Sequence, residues 1–190
     1  GMVQKALAKL SSARIGAICP LHGLVWRSDP ARVIGLYDRW SRYEADDAAV
    51  VIYASMYGNT AQMADHIARR IAEAGVRDIR VYDVSKTHVS YLISEIWRCR
   101  GVLLGSCAYN TQMFPLMENL TRDLLHAGPK DRLLGVFGTY SWNGGGVKNL
   151  NAFAEQIGWE TVAPSAEILG RPTCEKYAAC DALADAMACR

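Results

Sequence analysis

Residues 50–73 read VVIYASMYGNTAQMADHIARRIAE, a buried-strand pattern that passes through a short polar turn into an amphipathic helix. The run 50–54 is rich in Val, Ile and Tyr. From about Asn59 to residue 74 the apolar Met63, Ile67 and Ile71 recur at helical spacing. The same unit then repeats. The alternating residues 79–84 precede a helical pattern over 89–99, and the apolar run 101–105 precedes a helix over 114–126 that stops at Gly128 and Pro129. Residues 132–138 precede a helix over 147–158 closed by Gly158, and a strand within 160–169 precedes a last helix running from about Thr173 to the end. Five strands in strict alternation with helices predict a parallel sheet covered on both faces, with right-handed crossovers. The expected architecture is a three-layer α/β sandwich over residues 47–190, with strand order 2-1-3-4-5.

Residues 1–46 do not fit that alternation. They read as a helix over 2–10, a short strand over 15–18, a loop over 19–27, and a second helix that Ser28, Asp29 and Pro30 cap, with Pro30 at its first position, and that continues to about Tyr43. One strand and two helices cannot bury a core of their own, so this segment reads as the end of another domain or as a strap. Gly1, before the first Met, reads as a scar of tag removal and stands outside the fold argument.

The net charge is +2, with Lys and Arg scattered along the chain, so no basic patch points to nucleic acid. No apolar run approaches the roughly 18 residues of a membrane helix, and the start lacks the apolar stretch of a signal peptide. A cytoplasmic setting is expected. The six cysteines show no CxxC spacing, which predicts reduced, mostly buried thiols rather than a disulfide framework or a zinc site.

In an open α/β sheet, ligands bind beyond the carboxyl ends of the strands, where strand order reverses. Three loops leave such ends: Ser55, Met56, Tyr57, Gly58, Asn59 and Thr60 after the first strand; Ser106, Cys107, Ala108, Tyr109, Asn110 and Thr111 after the third; and Thr139, Tyr140, Ser141, Trp142, Asn143, Gly144, Gly145 and Gly146 after the fourth. The first loop offers hydroxyls, an amide and a helix N-terminus, but no Lys or Arg. A nest of N–H groups holds a phosphate without a cation. Transfer of a γ-phosphate would require a lysine that is absent. A terminal phosphate held without chemistry at it fits better, although a Ser/Asn cap on a plain turn also accounts for this loop alone. Tyr109 and Trp142 add aromatic surface at the same edge, and the three glycines allow backbone to approach a ligand. Together the loops predict a site for a flat conjugated ring bearing a phosphate.

Residues 50–60, with SMYGNT at their end, resemble the phosphate loop of flavodoxins in the variant of flavodiiron proteins, the A-type flavoproteins. Gly105 to Asn110 is similar to their second flavin loop, where the family usually carries Pro in place of Cys107, and residues 136–160 are similar to the third. The resemblance covers nearly everything from Ala48 onward and implies a flavodoxin-like fold. It further implies bound FMN, with the phosphate on residues 55–60 and the isoalloxazine between the Tyr109 and Trp142 loops. Residues 18–27, with Cys19, Pro20, His22 and Gly23, resemble the last stretch of the metallo-β-lactamase-like diiron domain that precedes the flavodoxin domain in that family. His22 would be an orphan iron ligand there, and the remaining ligand motifs do not occur, so no metal centre is expected. The implied donors are rubredoxin or a flavin reductase. The implied acceptor is a diiron site reducing O2 or NO, carried in the family by the partner of a head-to-tail homodimer.

Two other readings stay open at this stage. A stand-alone FMN-dependent NAD(P)H:quinone oxidoreductase shares the fold class, and a binding module could keep the fold without the flavin. No catalytic acid or base is expected under the electron-transfer reading. His66, His88 and His126 read as ordinary helix residues, and Met113 and Met117 as core filler.

Overall fold

A strand buried on both faces needs apolar residues at every position, and the first strand of the sheet has them. In the computed structural model, which describes residues 1–189, Ala48, Val50, Ile52 and Ala54 enter one core while Ala49 and Val51 enter a second. The elements run α1 (Met2–Leu10), α2 (Pro30–Ser41), β1 (Asp46–Ala54), α3 (Asn59–Glu73), β2 (Ile79–Asp83), α4 (Val89–Arg98), β3 (Cys99–Tyr109) and β4 (Gln112–Met113). There follow α5 (Pro115–Ala127), β5 (Leu133–Tyr140), α6 (Gly146–Ile157), β6 (Glu160–Thr161), β7 (Ala166–Leu169) and, after a 3-10 turn, α7 (Ala178–Ala188). Leu92 and Ile96 of α4, Met117 and Leu120 of α5, and Leu150 of α6 close the first core. Met63, Ile67 and Ile71 of α3, with Leu183 and Met187 of α7, close the second. This is the three-layer sandwich that the alternation implies.

The sheet runs β2-β1-β3-β5, parallel throughout, with β6 and β7 both pairing with β5. Two details differ from five continuous strands. The last strand is split into residues 160–161 and 166–169; Pro164 between them has no N–H to give to a ladder. An added strand, β4, folds back antiparallel on β3 and pairs Ala108 with Met113 and Tyr109 with Gln112. Residues 106–109 therefore continue β3, and Thr139 and Tyr140 end β5, where the sequence reads as loop.

The chain divides into two compact units, Gly1–Ala45 and the remainder from Asp46. In the first, Gln4 ties α1 to α2 through bonds to the Asp38 carboxylate at 2.8 Å and the Ser41 hydroxyl at 2.7 Å. Asp29 caps α2 by accepting from the Arg32 N–H. Val33 is the one buried hydrophobic side chain of this unit among the described residues. The expected strand over 15–18 reduces to a single antiparallel bridge between Ile18 and Trp26, and α2 ends at Ser41 with Tyr43 left-handed. All six cysteines are free, but only Cys99, Cys107 and Cys180 are buried, so half rather than most of the thiols are interior. Among the described residues no helix is long and apolar enough to cross a membrane. The sequence-expected end of the last helix at Arg190 lies outside the described residues.

Candidate cofactor site

The order β2-β1-β3-β5 reverses direction between β1 and β3, and the loops beyond these two strands and β5 meet at one edge of the sheet. They enclose a cavity of about 360 Å³. Ser55, Met56, Tyr57 and Asn59 line it from the first loop, Cys107, Ala108, Tyr109, Asn110 and Thr111 from the second, and Thr139, Tyr140, Ser141, Trp142 and Asn143 from the third. None of these residues is an Asp, Glu, Lys, Arg or His. The neutrality reaches well beyond the lining: residues 48–64, 101–117 and 133–147 contain no Asp, Glu, Lys, Arg or His, in a chain that is 21% charged.

The first loop ends on Gly58, which serves as the N-cap of α3 in a left-handed conformation with φ 83°. A glycine N-cap supplies no side-chain acceptor. Among the described helices, Asp29 accepts from the first turn of α2 and His88 from that of α4, while α3, like α1, α5, α6 and α7, has no side-chain cap. The leading N–H groups of α3 therefore have no side-chain cap, and with the positive end of the helix dipole they form a seat for an anion. Ser55, Tyr57 and Asn59 add neutral donors beside it.

Several sequence-predicted residues stand behind the cavity rather than in its lining. Thr60 is fully buried, and its hydroxyl lies 2.8 Å from that of Thr139, joining the head of α3 to the end of β5. Ser106 is also fully buried; its hydroxyl donates to the Cys107 carbonyl and accepts from the Phe114 N–H, both at 2.9 Å. Gly144 sits against the Glu167 carboxylate, Gly145 against the Thr111 backbone, and Gly146 against the carbonyls of Ser106 and Cys107. The glycine run thus lets the third loop close onto the second. Thr111 and Asn143 line the cavity but do not stand out in the sequence, since neither has a chemistry that separates it from its loop neighbours.

The second loop is a tight hairpin. Asn110 and Thr111 connect Tyr109 to Gln112 with φ of 46° and 61°, the left-handed pair of a type I′ turn. Asn accepts that conformation readily, whereas a β-branched Thr does so rarely. Tyr109 is fixed edge-to-face on Phe114, with ring centroids 6.1 Å apart. Trp142 is 90% and Tyr57 85% exposed, so both leave ring surface at the cavity mouth. Burial pushes the Cys107 thiol up, and the nearby backbone of Met56 acts in the opposite direction.

The donor set fits FMN. A cation-free helix N-terminus with neutral donors suits a permanently bound phosphate, and the aromatic side of the same cavity suits a flat ring. Among the described residues no group of three or more His, Cys, Asp or Glu is placed to hold a metal ion, and His22 is exposed.

The family model described as flavodoxin matches residues 51–181. The chain is 32% identical over 149 residues to an anaerobic nitric oxide reductase flavorubredoxin of Pectobacterium carotovorum subsp. carotovorum (strain PC1), covering 77% of this chain and 29% of that protein. It is 29% identical over 147 residues to the protein of the same name from Escherichia coli O6:K15:H31 (strain 536 / UPEC), covering 77% and 31%. The chain thus spans about a third of the length of the curated relatives it matches. Among solved structures, the rubredoxin oxygen:oxidoreductase of Desulfovibrio gigas superposes with a TM-score of 0.89 at 23% identity, over 98% of this chain and 47% of that one. The flavodiiron protein of Giardia intestinalis gives 0.87 at 22% identity, over 97% and 47%. At these identities the two structures speak to the fold.

Proposed function

Because the chain belongs to the flavodoxin family, we propose that it is the FMN-binding electron-transfer domain of a flavodiiron-type oxidoreductase. The observation that carries this reading is the charge-free three-loop cavity built against the uncapped N-terminus of α3. When bound, FMN supplies one- and two-electron redox chemistry; the chain supplies binding, orientation and electrostatics. Ser55, Met56, Tyr57, Gly58 and Asn59 hold the phosphate with the first N–H groups of α3. Thr60 contributes through its backbone N–H, since its hydroxyl is engaged by Thr139. The loops of Tyr109 and Trp142 would hold the ring, with Cys107, Ala108, Asn110, Thr139, Tyr140 and Ser141 as the residues that would line its space. Ser106, Gly144 and Gly145 support these walls from behind. The lining residues would hold the ring and shape its surroundings.

Residues 1–46 are, in this reading, the tail of a metallo-β-lactamase-like diiron domain, with His22 an orphan ligand. Electrons arrive from rubredoxin or a flavin reductase and leave for a diiron site that reduces O2 or NO, on the partner in a homodimer. The name of the curated relatives, anaerobic nitric oxide reductase flavorubredoxin, supports this assignment. The setting is cytoplasmic.

The test is anaerobic stopped-flow mixing of FMN-loaded protein with reduced rubredoxin, beside steady-state assays with NADH or NADPH and a quinone. Rapid flavin bleaching by rubredoxin with no sustained nicotinamide turnover is expected. Sustained NAD(P)H:quinone turnover would transfer the chain to the stand-alone oxidoreductases.

A further inference from the structure

The second and third loops meet main chain to main chain. A Cβ placed on Gly145 would lie 2.3 Å from both the carbonyl carbon and the oxygen of Thr111, and 2.8 Å from the nitrogen of Gln112. Backbone atoms cannot swing aside as a side-chain tip can, so any larger residue must shift main chain, that of the hairpin turn or that of the third loop facing it. That turn is the left-handed Asn110–Thr111 pair, and both of its residues line the cavity. A β-branched residue stays left-handed only where its surroundings over-determine it.

The surroundings here are specific. The Gly145 carbonyl accepts from the side-chain amide of Asn149 at 2.8 Å and from the Asn149 N–H at 3.0 Å, which ties it to the first turn of α6. At the base of the hairpin, the Ser106 hydroxyl accepts from the Phe114 N–H and so joins the residues on either side of the turn. The turn is therefore held at its base by its own strand and at its tip by the head of α6.

We propose that Gly145 is a positioning residue of the flavin site: it clamps the left-handed Asn110–Thr111 turn against α6 and thereby sets the cavity wall that faces the flavin ring. The inference rests on the FMN reading above. The peptide dipoles of the turn border the space of the ring, so displacing them changes both the affinity for the flavin and its redox potential. The phosphate seat at α3 is built from different residues and is left intact.

The experiment compares wild type, Gly145→Ala, Thr111→Gly and the double variant by fluorescence titration with FMN and with riboflavin. Midpoint potentials of the FMN-loaded forms and thermal midpoints of the apo forms are measured in parallel. Gly145→Ala is expected to weaken FMN and riboflavin by the same factor, about tenfold, the binding equivalent of one strained backbone residue, and to shift the midpoint potential. Thr111→Gly gives the turn slack, so the double variant recovers most of that loss. Unaltered affinity and potential in Gly145→Ala, or a double variant no better than Gly145→Ala, overturns the clamp. Should Gly145→Ala not fold, Thr111→Gly alone decides: a higher apo thermal midpoint with a shifted potential supports the clamp, and an unchanged potential and affinity overturn it. A wild type that takes up no FMN overturns the cofactor reading itself, and is recognised before any variant is compared.

Discussion

Replacing Gly58 by Ala isolates what the left-handed turn at the head of α3 contributes. A Cβ at this position would meet nothing within 4 Å, so the substitution brings no clash. What remains is the backbone term: holding an L-residue at φ 83° costs about 1–2 kcal/mol. This energy divides between folding and binding. If the first loop keeps its turn without the cofactor, the apo protein loses the whole amount and FMN affinity is unchanged. If the loop relaxes when empty, the loss appears on binding, at about tenfold in Kd for each 1.4 kcal/mol. Either way the FMN-saturated protein loses the sum, roughly 3–8 °C in Tm for a domain of this size. Circular-dichroism melts with saturating FMN, together with fluorescence titrations, measure both parts. Gly158→Ala is the control, because Gly158 is also left-handed (φ 71°) with open space around it, but closes α6 at the end away from the third loop. It should lose similar stability with no change in Kd. A Gly58→Ala protein that loses neither stability nor affinity, or a Gly158→Ala protein that binds FMN equally poorly, refutes the reasoning.

Trp142→Ala should leave the apo Tm within about 2 °C, since the side chain is almost wholly exposed, and weaken FMN about tenfold through lost ring stacking; parallel melts and titrations check the split. Arg132 is 1% exposed and donates to the carbonyls of Ile96 (2.9 Å), Trp97 (2.6 Å) and Lys130 (2.7 Å), joining the end of α4 to the start of β5. Arg132→Met leaves these acceptors without their donor and should cost about 3 kcal/mol in urea unfolding, after relief of the buried guanidinium is counted. The hydrogen bond from Arg98 holds the Asp78 carboxyl below its ordinary range. Its folded value lies below its unfolded one, so its contribution is present at neutral pH and lost as pH falls through the depressed value. Asp78→Asn should therefore flatten the acid side of a stability profile below about pH 4, read from urea midpoints at a series of pH values.

The parts of the fold that were legible in the sequence are those with a strong period. Residues 50–54 carry apolar side chains on both faces, and Met63, Ile67 and Ile71 mark the inward stripe of α3, so their layers followed directly. The continuation of β3 through Ser106, Cys107 and Ala108 was not legible, because Gly105 looks like a stop and small residues show no alternation. The hairpin at Asn110–Thr111 was hidden for a related reason: Asn-Gly announces a type I′ turn, but Asn-Thr does not. The split of the last strand could have been anticipated from Pro164. At the site, the loops were legible while the direction of each hydroxyl was not. Thr60 and Ser106 look like ligand donors in the sequence, yet each is buried with a protein partner, and only the three-dimensional arrangement assigns those partners.

The most direct test of the central claim is an absorption spectrum of the purified protein, recorded after incubation with excess FMN and thorough desalting. The account predicts flavin bands that survive desalting and are lost on heating, with FMN recovered in the supernatant. A colourless protein after the same treatment would contradict it, leaving a flavodoxin-like scaffold whose neutral cavity serves another ligand.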